Sequence, residues 1–495
     1  MSSRFTRRKL LSSVVASAVG VSGCQTSSLF DRTGDDTVSS TAMDTATGTG
    51  REQTTGGSIQ VSTRSLVGDP LRVRLAGFEP NTPVSLEASA IDTVGDEYAK
   101  TWSLQTGNDG AAAISVSETT LTRSASTWIG TDDRFRTPDP SGLSMVLHTL
   151  RPATDSPRSK PFVVDNAAEV TLDARVGAEK RPRTTQMTIR VYTNSAVTRQ
   201  PVEADGLVGE LYLPPSSGPR PAVVTLHGSR GYLPRTLSEM LATHGYVTLA
   251  LKYFDRESPD SKGLPSTLSG VSVEYFQRAI RWLTTHEEVR NTSVGFVGLS
   301  RGVEPALLAA ADYDGPASVI GYSGSGMLAG EYPVEGRPES AWLRNEEPIA
   351  PYDAVETVLE FVWSLYQSNY ELSSVPERIR NSLSAATLER VLIPVEKIDG
   401  PILLFVGEND LLWPAPLLSM LAIDRLKRRG HPYSYGLRSY TSAGHTFVLP
   451  YQSYEERTTD THGGTPMANA RAAAAAWPQL LMCLKRSTHR ATLPS

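Results

Sequence analysis

One short stretch constrains this chain more than any other. Gly298-Leu299-Ser300-Arg301-Gly302 lies between an apolar run, Val294-Gly295-Phe296-Val297, and an Ala-rich run from Pro305 to Ala311. The first run reads as a buried strand and the second as a helix, with Pro305 in the first turn, where a missing N–H costs nothing. A strand that passes at once into a helix brings backbone against backbone, so the flanking positions have no room for a Cβ. Such a turn lifts Ser300 Oγ clear of the sheet, and the helix N-terminus behind it favours developing negative charge. The junction demands a sheet whose strand ends open toward a substrate.

The neighbouring residues fit that demand. From about residue 206, strand runs alternate with helix-period runs. Ala222–Leu226, Tyr246–Leu251, Val319–Tyr322, Ile402–Val406 and Tyr433–Tyr440 read as strands. Leu237, Leu241 and Ala242 share one helical face, as do Phe276, Ala279, Ile280 and Leu283 in a helix expected over 273–284. Further helices are expected through 417–426 and 467–484. Continuous apolar strands separated by helices predict a parallel sheet covered on both faces.

A serine nucleophile needs a base, and the base needs an orienting carboxylate. In folds of this kind the chain order is Ser, acid, His. Gly407-Glu408-Asn409-Asp410 follows a strand, where such sheets place their sites, and both Glu408 and Asp410 qualify. His445, in Ala443-Gly444-His445-Thr446-Phe447, follows the last strand in a glycine-containing loop. His431, His462 and His489 read as solvated surface residues. Leu226-His227-Gly228-Ser229-Arg230-Gly231 follows the first long strand, and its N–H groups at Gly228, Ser229 and Arg230, with that of Arg301, are candidates for an oxyanion hole. His227 reads as a wall of this loop. No cofactor or metal site is expected.

The first half of the chain follows another grammar. Leu71, Val73 and Leu75 alternate with Arg72 and Arg74, and Val84, Leu86 and Ala88 with Ser85 and Glu87. Period-two runs broken by turns such as Gly107-Asn108-Asp109-Gly110 predict short antiparallel strands of an all-β sandwich. No catalytic constellation occurs there. Before it, residues 25–57 are mostly Thr, Ser and Gly, a composition that cannot bury enough surface to order itself.

At the N-terminus, Arg7-Arg8-Lys9 precedes a short apolar stretch, Leu10–Val21, and then Val21-Ser22-Gly23-Cys24. The basic start and short apolar run resemble a twin-arginine export signal, and the small residues before Cys24 resemble a lipobox, at which the thiol is acylated. The expected organisation is an export signal over 1–23, a tether over 24–57, a β domain over 58–185 and a catalytic domain over 186–488. Export with a lipid anchor at Cys24 is the expected localisation, and that anchor is the only membrane contact expected. The net charge of -5 argues against a nucleic-acid partner, and two cysteines exclude a disulfide scaffold.

These residues resemble the acyl-CoA thioesterase and bile acid-CoA:amino acid N-acyltransferase family over most of residues 60–485. Leu75-Ala76-Gly77-Phe78-Glu79-Pro80-Asn81, Gly209-Glu210-Leu211-Tyr212-Leu213-Pro214-Pro215, Gly298-Leu299-Ser300-Arg301-Gly302 and Ala443-Gly444-His445 are similar to family blocks. Gly407-Glu408-Asn409-Asp410 followed by Trp413-Pro414 is the most specific. The resemblance implies an α/β-hydrolase catalytic domain preceded by an immunoglobulin-like β sandwich. It implies Ser300 as nucleophile, His445 as base and Asp410, rather than Glu408, as acid. The implied substrate is a small acyl thioester or ester. The acyltransferase branch carries Cys as nucleophile, so serine at position 300 points to hydrolysis. Two differences stand out: Val303 replaces a usual glycine, and the His227–Gly231 loop is worded like that of a general esterase or dienelactone hydrolase. Between Tyr322 and Ile398, Val355, Val358, Leu359, Val362 and Tyr366 fall at helical spacing, which fits either a lid over Ser300 or a helix covering the sheet.

Overall fold

The computed structural model describes residues 57–66, 73–91, 97–114, 126–131, 151–152, 167–191, 193–256, 263–331, 339–368, 370–450 and 460–487. The expected export signal, Cys24 and all but the last residue of the expected tether lie outside them, as does His489.

Nine strands form the central sheet: β1 (Ser126–Gly130), β2 (Thr198–Val202), β3 (Val208–Leu213), β4 (Arg220–Leu226), β5 (Val247–Lys252), β6 (Val289–Leu299), β7 (Ala317–Tyr322), β8 (Ile402–Gly407) and β9 (Tyr435–Tyr440). Their spatial order is β2-β3-β5-β4-β6-β7-β8-β9-β1. The six strands from β5 to β9 are parallel, while β2, β3 and β1 are antiparallel additions at the two edges. Every residue of β7, β8 and β9 is buried, as expected of strands covered on both faces.

Successive side chains feed opposite cores. Val224, Phe296, Val319 and Leu404 pack with helices α2 (Val273–Thr284), α3 (Val303–Ala311) and α7 (Ala415–Arg429). Val223, Val297, Ile320 and Leu403 pack with α1 (Arg235–Thr243) and α8 (Pro466–Ser487). Each fully buried Val, Leu, Ile or Phe side chain contributes about 1.5–3 kcal/mol. The helix expected over 273–284 forms with those bounds, and Ser272 caps it by accepting a hydrogen bond from the Glu274 N–H. This is the α/β-hydrolase arrangement.

Between β7 and β8 run helices α4 (Tyr352–Tyr366), α5 (Val375–Ser382) and α6 (Ala385–Val391). Val355, Val358, Leu359 and Val362 of α4 join the main core, so its apolar stripe packs inward.

The N-terminal part holds a three-stranded sheet (Ser58–Gln60, Val73–Ala76, Ala112–Ile114) and a six-stranded one. Alternation places Val84, Leu86, Ala88, Val170, Leu172 and Ala174 inside, in one core with Ile59, Val73, Leu75 and Phe78. Two features depart from the expected division at 185. Strand Thr184–Val191 runs through that boundary, paired along its whole length with Ala167–Val176. Strand β1, drawn from the N-terminal half, pairs with β9 and closes that edge of the central sheet.

Candidate active site

The order of strands reverses around β4, whose neighbours are β5 and β6. Open α/β sheets bind ligands outside the carboxyl ends of strands at such a switch. Four loops converge there: 227–231 after β4, 300–302 after β6, 408–414 after β8 and 441–447 after β9.

Ser300 opens a single turn of 3-10 helix, Ser300–Gly302, between β6 and α3, and its φ is 54°. A non-glycine residue pays for that conformation, and the surroundings impose it. A Cβ at Gly298 would stand 2.4 Å from the Gly302 carbonyl oxygen, and one at Gly302 would stand 2.5 Å from the carbonyl oxygens of Leu226 and His227. Both glycines are therefore steric necessities. Val303 is fully buried, and its bulk fits because residues 321 and 324 are glycines: a Cβ at Gly324 would lie 2.2 Å from Val303 Cγ2.

His445 Nε2 is 2.9 Å from Ser300 Oγ, and its Nδ1 is 2.7 Å from Asp410 Oδ2. The second oxygen of Asp410 accepts the N–H groups of Leu412 at 2.9 Å and Trp413 at 3.1 Å. Burial pushes the Asp410 carboxyl above the usual carboxylate range, and His445 and those two amides oppose it. Glu408 turns elsewhere: its carboxylate accepts from Ser439 Oγ at 3.0 Å and Thr441 Oγ1 at 3.2 Å. Of the two acids left open by the residues alone, Asp410 is the one bonded to His445. An imidazole between a hydroxyl and a carboxylate can take the hydroxyl proton while the carboxylate stabilises the imidazolium.

The loop after β4 packs directly against the serine. A Cβ on Gly228 would lie 3.1 Å from both the Leu299 carbonyl oxygen and Ser300 Cβ. The Gly231 N–H donates to the Gly228 carbonyl at 3.1 Å, closing a tight turn. Ser229 and Arg230 are exposed on its outside. His227 is fully buried beneath it, stacked on Tyr253 at 4.1 Å, with Nδ1 bonded to the Gly228 carbonyl at 2.9 Å. Burial lowers its pKa to about 4, so it stays neutral and serves as a wall of the loop.

Arg301 contributes its backbone to the serine turn while its side chain points away. The guanidinium pairs with Glu304 at 2.5 Å and donates to the carbonyls of Ala329 at 2.9 Å and Gly330 at 3.1 Å. Glu304, completely buried, also accepts from Trp342 Nε1 at 2.7 Å and from the Ala329 N–H at 2.9 Å. Burial pushes its carboxyl up, and these partners oppose the shift. The pair fastens the serine turn to the segment that follows β7.

Of the histidines assigned to the solvated surface, His431 is buried and His462 half-buried. His431 has Nε2 on the Gly400 carbonyl at 3.1 Å, because the left-handed Gly430 that ends α7 turns the chain inward. His462 stands beside the site, its ring 6.2 Å from that of His445. Burial, then His445, then Arg230 lower its pKa to about 4. Its carbonyl accepts the N–H groups of both Leu411 at 3.3 Å and His445 at 2.8 Å, tying the loop of Asp410 to the loop of His445. Cys483 is buried, its thiol pushed up to about 12.

Sequence reasoning passed over Ser323, whose hydroxyl reaches the His445 carbonyl at 2.8 Å, and left Tyr366 as one residue of an apolar stripe. The Tyr366 hydroxyl reaches the acid loop from α4. Nothing local in the sequence marks either contact.

Residues 271–490 match the family model described as BAAT / Acyl-CoA thioester hydrolase C terminal. Mouse peroxisomal succinyl-coenzyme A thioesterase is 27% identical over 447 residues, 87% of this chain and 97% of that protein. Rat acyl-coenzyme A amino acid N-acyltransferase 2 is 27% identical over 306 residues, 60% of this chain and 68% of that protein. Among solved structures, a dienelactone hydrolase-like promiscuous phosphotriesterase from metagenomic libraries aligns with a TM-score of 0.35 and 17% identity, covering 58% of this chain and 99% of that one.

Proposed function

Because the chain resembles the acyl-CoA thioesterase and bile acid-CoA:amino acid N-acyltransferase family, and is an enzyme of the thioesterase-like kind, we propose that it hydrolyses acyl thioesters through Ser300, His445 and Asp410. The hydrogen-bonded series Ser300–His445–Asp410 is the observation that carries the reading.

In the first half-reaction His445 Nε2 takes the Ser300 proton as Oγ bonds to the thioester carbonyl carbon. Negative charge gathers on the carbonyl oxygen, where the N–H groups of the 228–230 loop and of Arg301 receive it. Such donors are worth ~100–1000-fold in rate each. The C–S bond then breaks and the imidazolium gives its proton to the departing sulfur. Water enters, loses its proton to His445 and attacks the acyl-enzyme. The C–Oγ bond breaks, Ser300 regains its proton and the acid leaves. Asp410 keeps His445 in the tautomer with Nδ1 protonated and stabilises the imidazolium. Serine rather than cysteine at position 300 favours water as acceptor over an amine.

In this reading the three- and six-stranded N-terminal sheets form an immunoglobulin-like sandwich that frames the catalytic part, and Cys24 anchors an exported protein. Metabolic lipid labelling followed by fractionation checks the anchor: unlabelled protein in the cytosol refutes it.

The decisive assay is a panel of acyl-CoA thioesters and p-nitrophenyl esters on the native protein and Ser300→Ala. The variant is expected to lose at least ~10⁴ in kcat while remaining folded. Full activity in Ser300→Ala overturns the proposal. An amide product formed with glycine or taurine as acceptor replaces hydrolysis with transfer.

A further inference from the structure

The ends of two adjacent strands carry a matched pair of serines. Leu299 at the end of β6 and Tyr322 at the end of β7 are register partners. The residue after each is a serine with left-handed backbone, Ser300 at φ 54° and Ser323 at φ 49°. Among the described residues five other non-glycine residues have positive φ: Asn81, Asp205, Asn345, Glu346 and Ser442. All five are exposed, whereas Ser323 is 1% exposed. Glycine would adopt this backbone without penalty, so a buried serine there is explained by its hydroxyl.

That hydroxyl donates to the main-chain carbonyl of His445 at 2.8 Å. The Ser323 N–H donates to the Phe405 carbonyl of β8 at 2.7 Å, so the donor is itself held by the sheet. The His445 N–H is held from the other side by the His462 carbonyl at 2.8 Å. Both serine hydroxyls therefore address one histidine, Ser300 its ring and Ser323 its main chain.

We propose that Ser323 is a positioning residue for His445, fixing its main chain so that Nε2 stays within reach of Ser300 Oγ during proton transfer. The inference rests on His445 being the base. A displacement of about 1 Å at a reacting group costs on the order of 100-fold in rate, and a main-chain anchor acts on that scale.

Ser323→Gly and Ser323→Ala in the full chain separate positioning from packing. Both remove the hydroxyl, but only glycine relieves the backbone. With p-nitrophenyl butyrate, and with rates normalised to sites titrated by a fluorophosphonate, both variants are expected to lose ~10–100-fold in kcat with little change in KM. Ser323→Gly is expected to melt no lower than the native protein and Ser323→Ala below it. Native kcat in Ser323→Gly overturns the proposal, as does a change confined to KM. Should Ser323→Ala fail to fold, Ser323→Gly carries the test. An inactive Ser300→Ala beside a fully active Ser323→Gly defeats only this inference. An active Ser300→Ala defeats the reading beneath it.

Discussion

The Tyr366 hydroxyl donates to the main-chain carbonyl of Asp410 at 2.7 Å, and it also lies 3.1 Å from that of Glu408. Helix α4 thus ties down the loop that carries Asp410. Burial, reinforced by the Asp410 charge, pushes the phenol far above its ordinary range, so it remains a donor at any working pH. Tyr366→Phe deletes this tie and little volume. Losing such a bond costs about 1 kcal/mol. The variant is expected to melt lower and lose several-fold in kcat, as checked by calorimetry and steady-state rates.

Asp410→Asn and Glu408→Gln form a discriminating pair. Asn keeps the shape at 410 but removes the charge that holds the His445 tautomer, and losses of ~10⁴ in kcat are typical of such a change. Among the described residues the Glu408 carboxylate bonds Ser439 and Thr441 and not His445, so Glu408→Gln is expected to retain kcat within a small factor. Parallel kinetics on the two variants check this.

Gly302→Ala places a Cβ 2.5 Å from two carbonyl oxygens at the end of β4 and its following residue. Backbone cannot yield as a side-chain tip can, and overpacking of this kind costs about 1–3 kcal/mol or more. Denaturant unfolding is expected to show the loss. The rate per folded molecule is expected to fall as well, since relieving the clash moves Ser300 away from the 228–231 loop.

His227 makes stability depend on pH. Its folded pKa of about 4 lies below the ordinary 6.5, so the unfolded chain binds the extra proton more readily. The native state keeps its full margin above pH 6.5. It loses stability as pH falls from there toward 4, by about 3 kcal/mol in all at 1.36 kcal/mol per unit. His227→Gln, whatever its stability at neutral pH, is expected to show a shallower decline in urea titrations across that range.

Much of this architecture is readable along the chain because its causes are local. The glycines at 298 and 302, the apolar runs of β4, β7 and β8, and the period of α2 each report a constraint within a few residues. The acid is different. Glu408 and Asp410 sit two positions apart, and only the fold decides which one meets His445. His431 and His462 escaped for the same reason: burial there comes from packing against distant segments. Ser323 is harder still, since a left-handed φ in a serine leaves no mark in composition or period.

Strand β1 gives the two halves of the chain a shared timetable. Thr131, at its end, exchanges hydrogen bonds with Tyr435, 304 positions later. During synthesis the N-terminal strand must therefore wait for almost the whole polypeptide before its partner exists, and contacts of such long range slow folding. Until then β1 lacks its partner, and an unpaired strand edge is the kind of surface that invites pairing between chains. Removing the N-terminal half would instead leave the edge of β9 permanently open. The strand that leads into the His445 loop would then lose its outer neighbour, so a shortened catalytic half is a poor substitute for the intact enzyme.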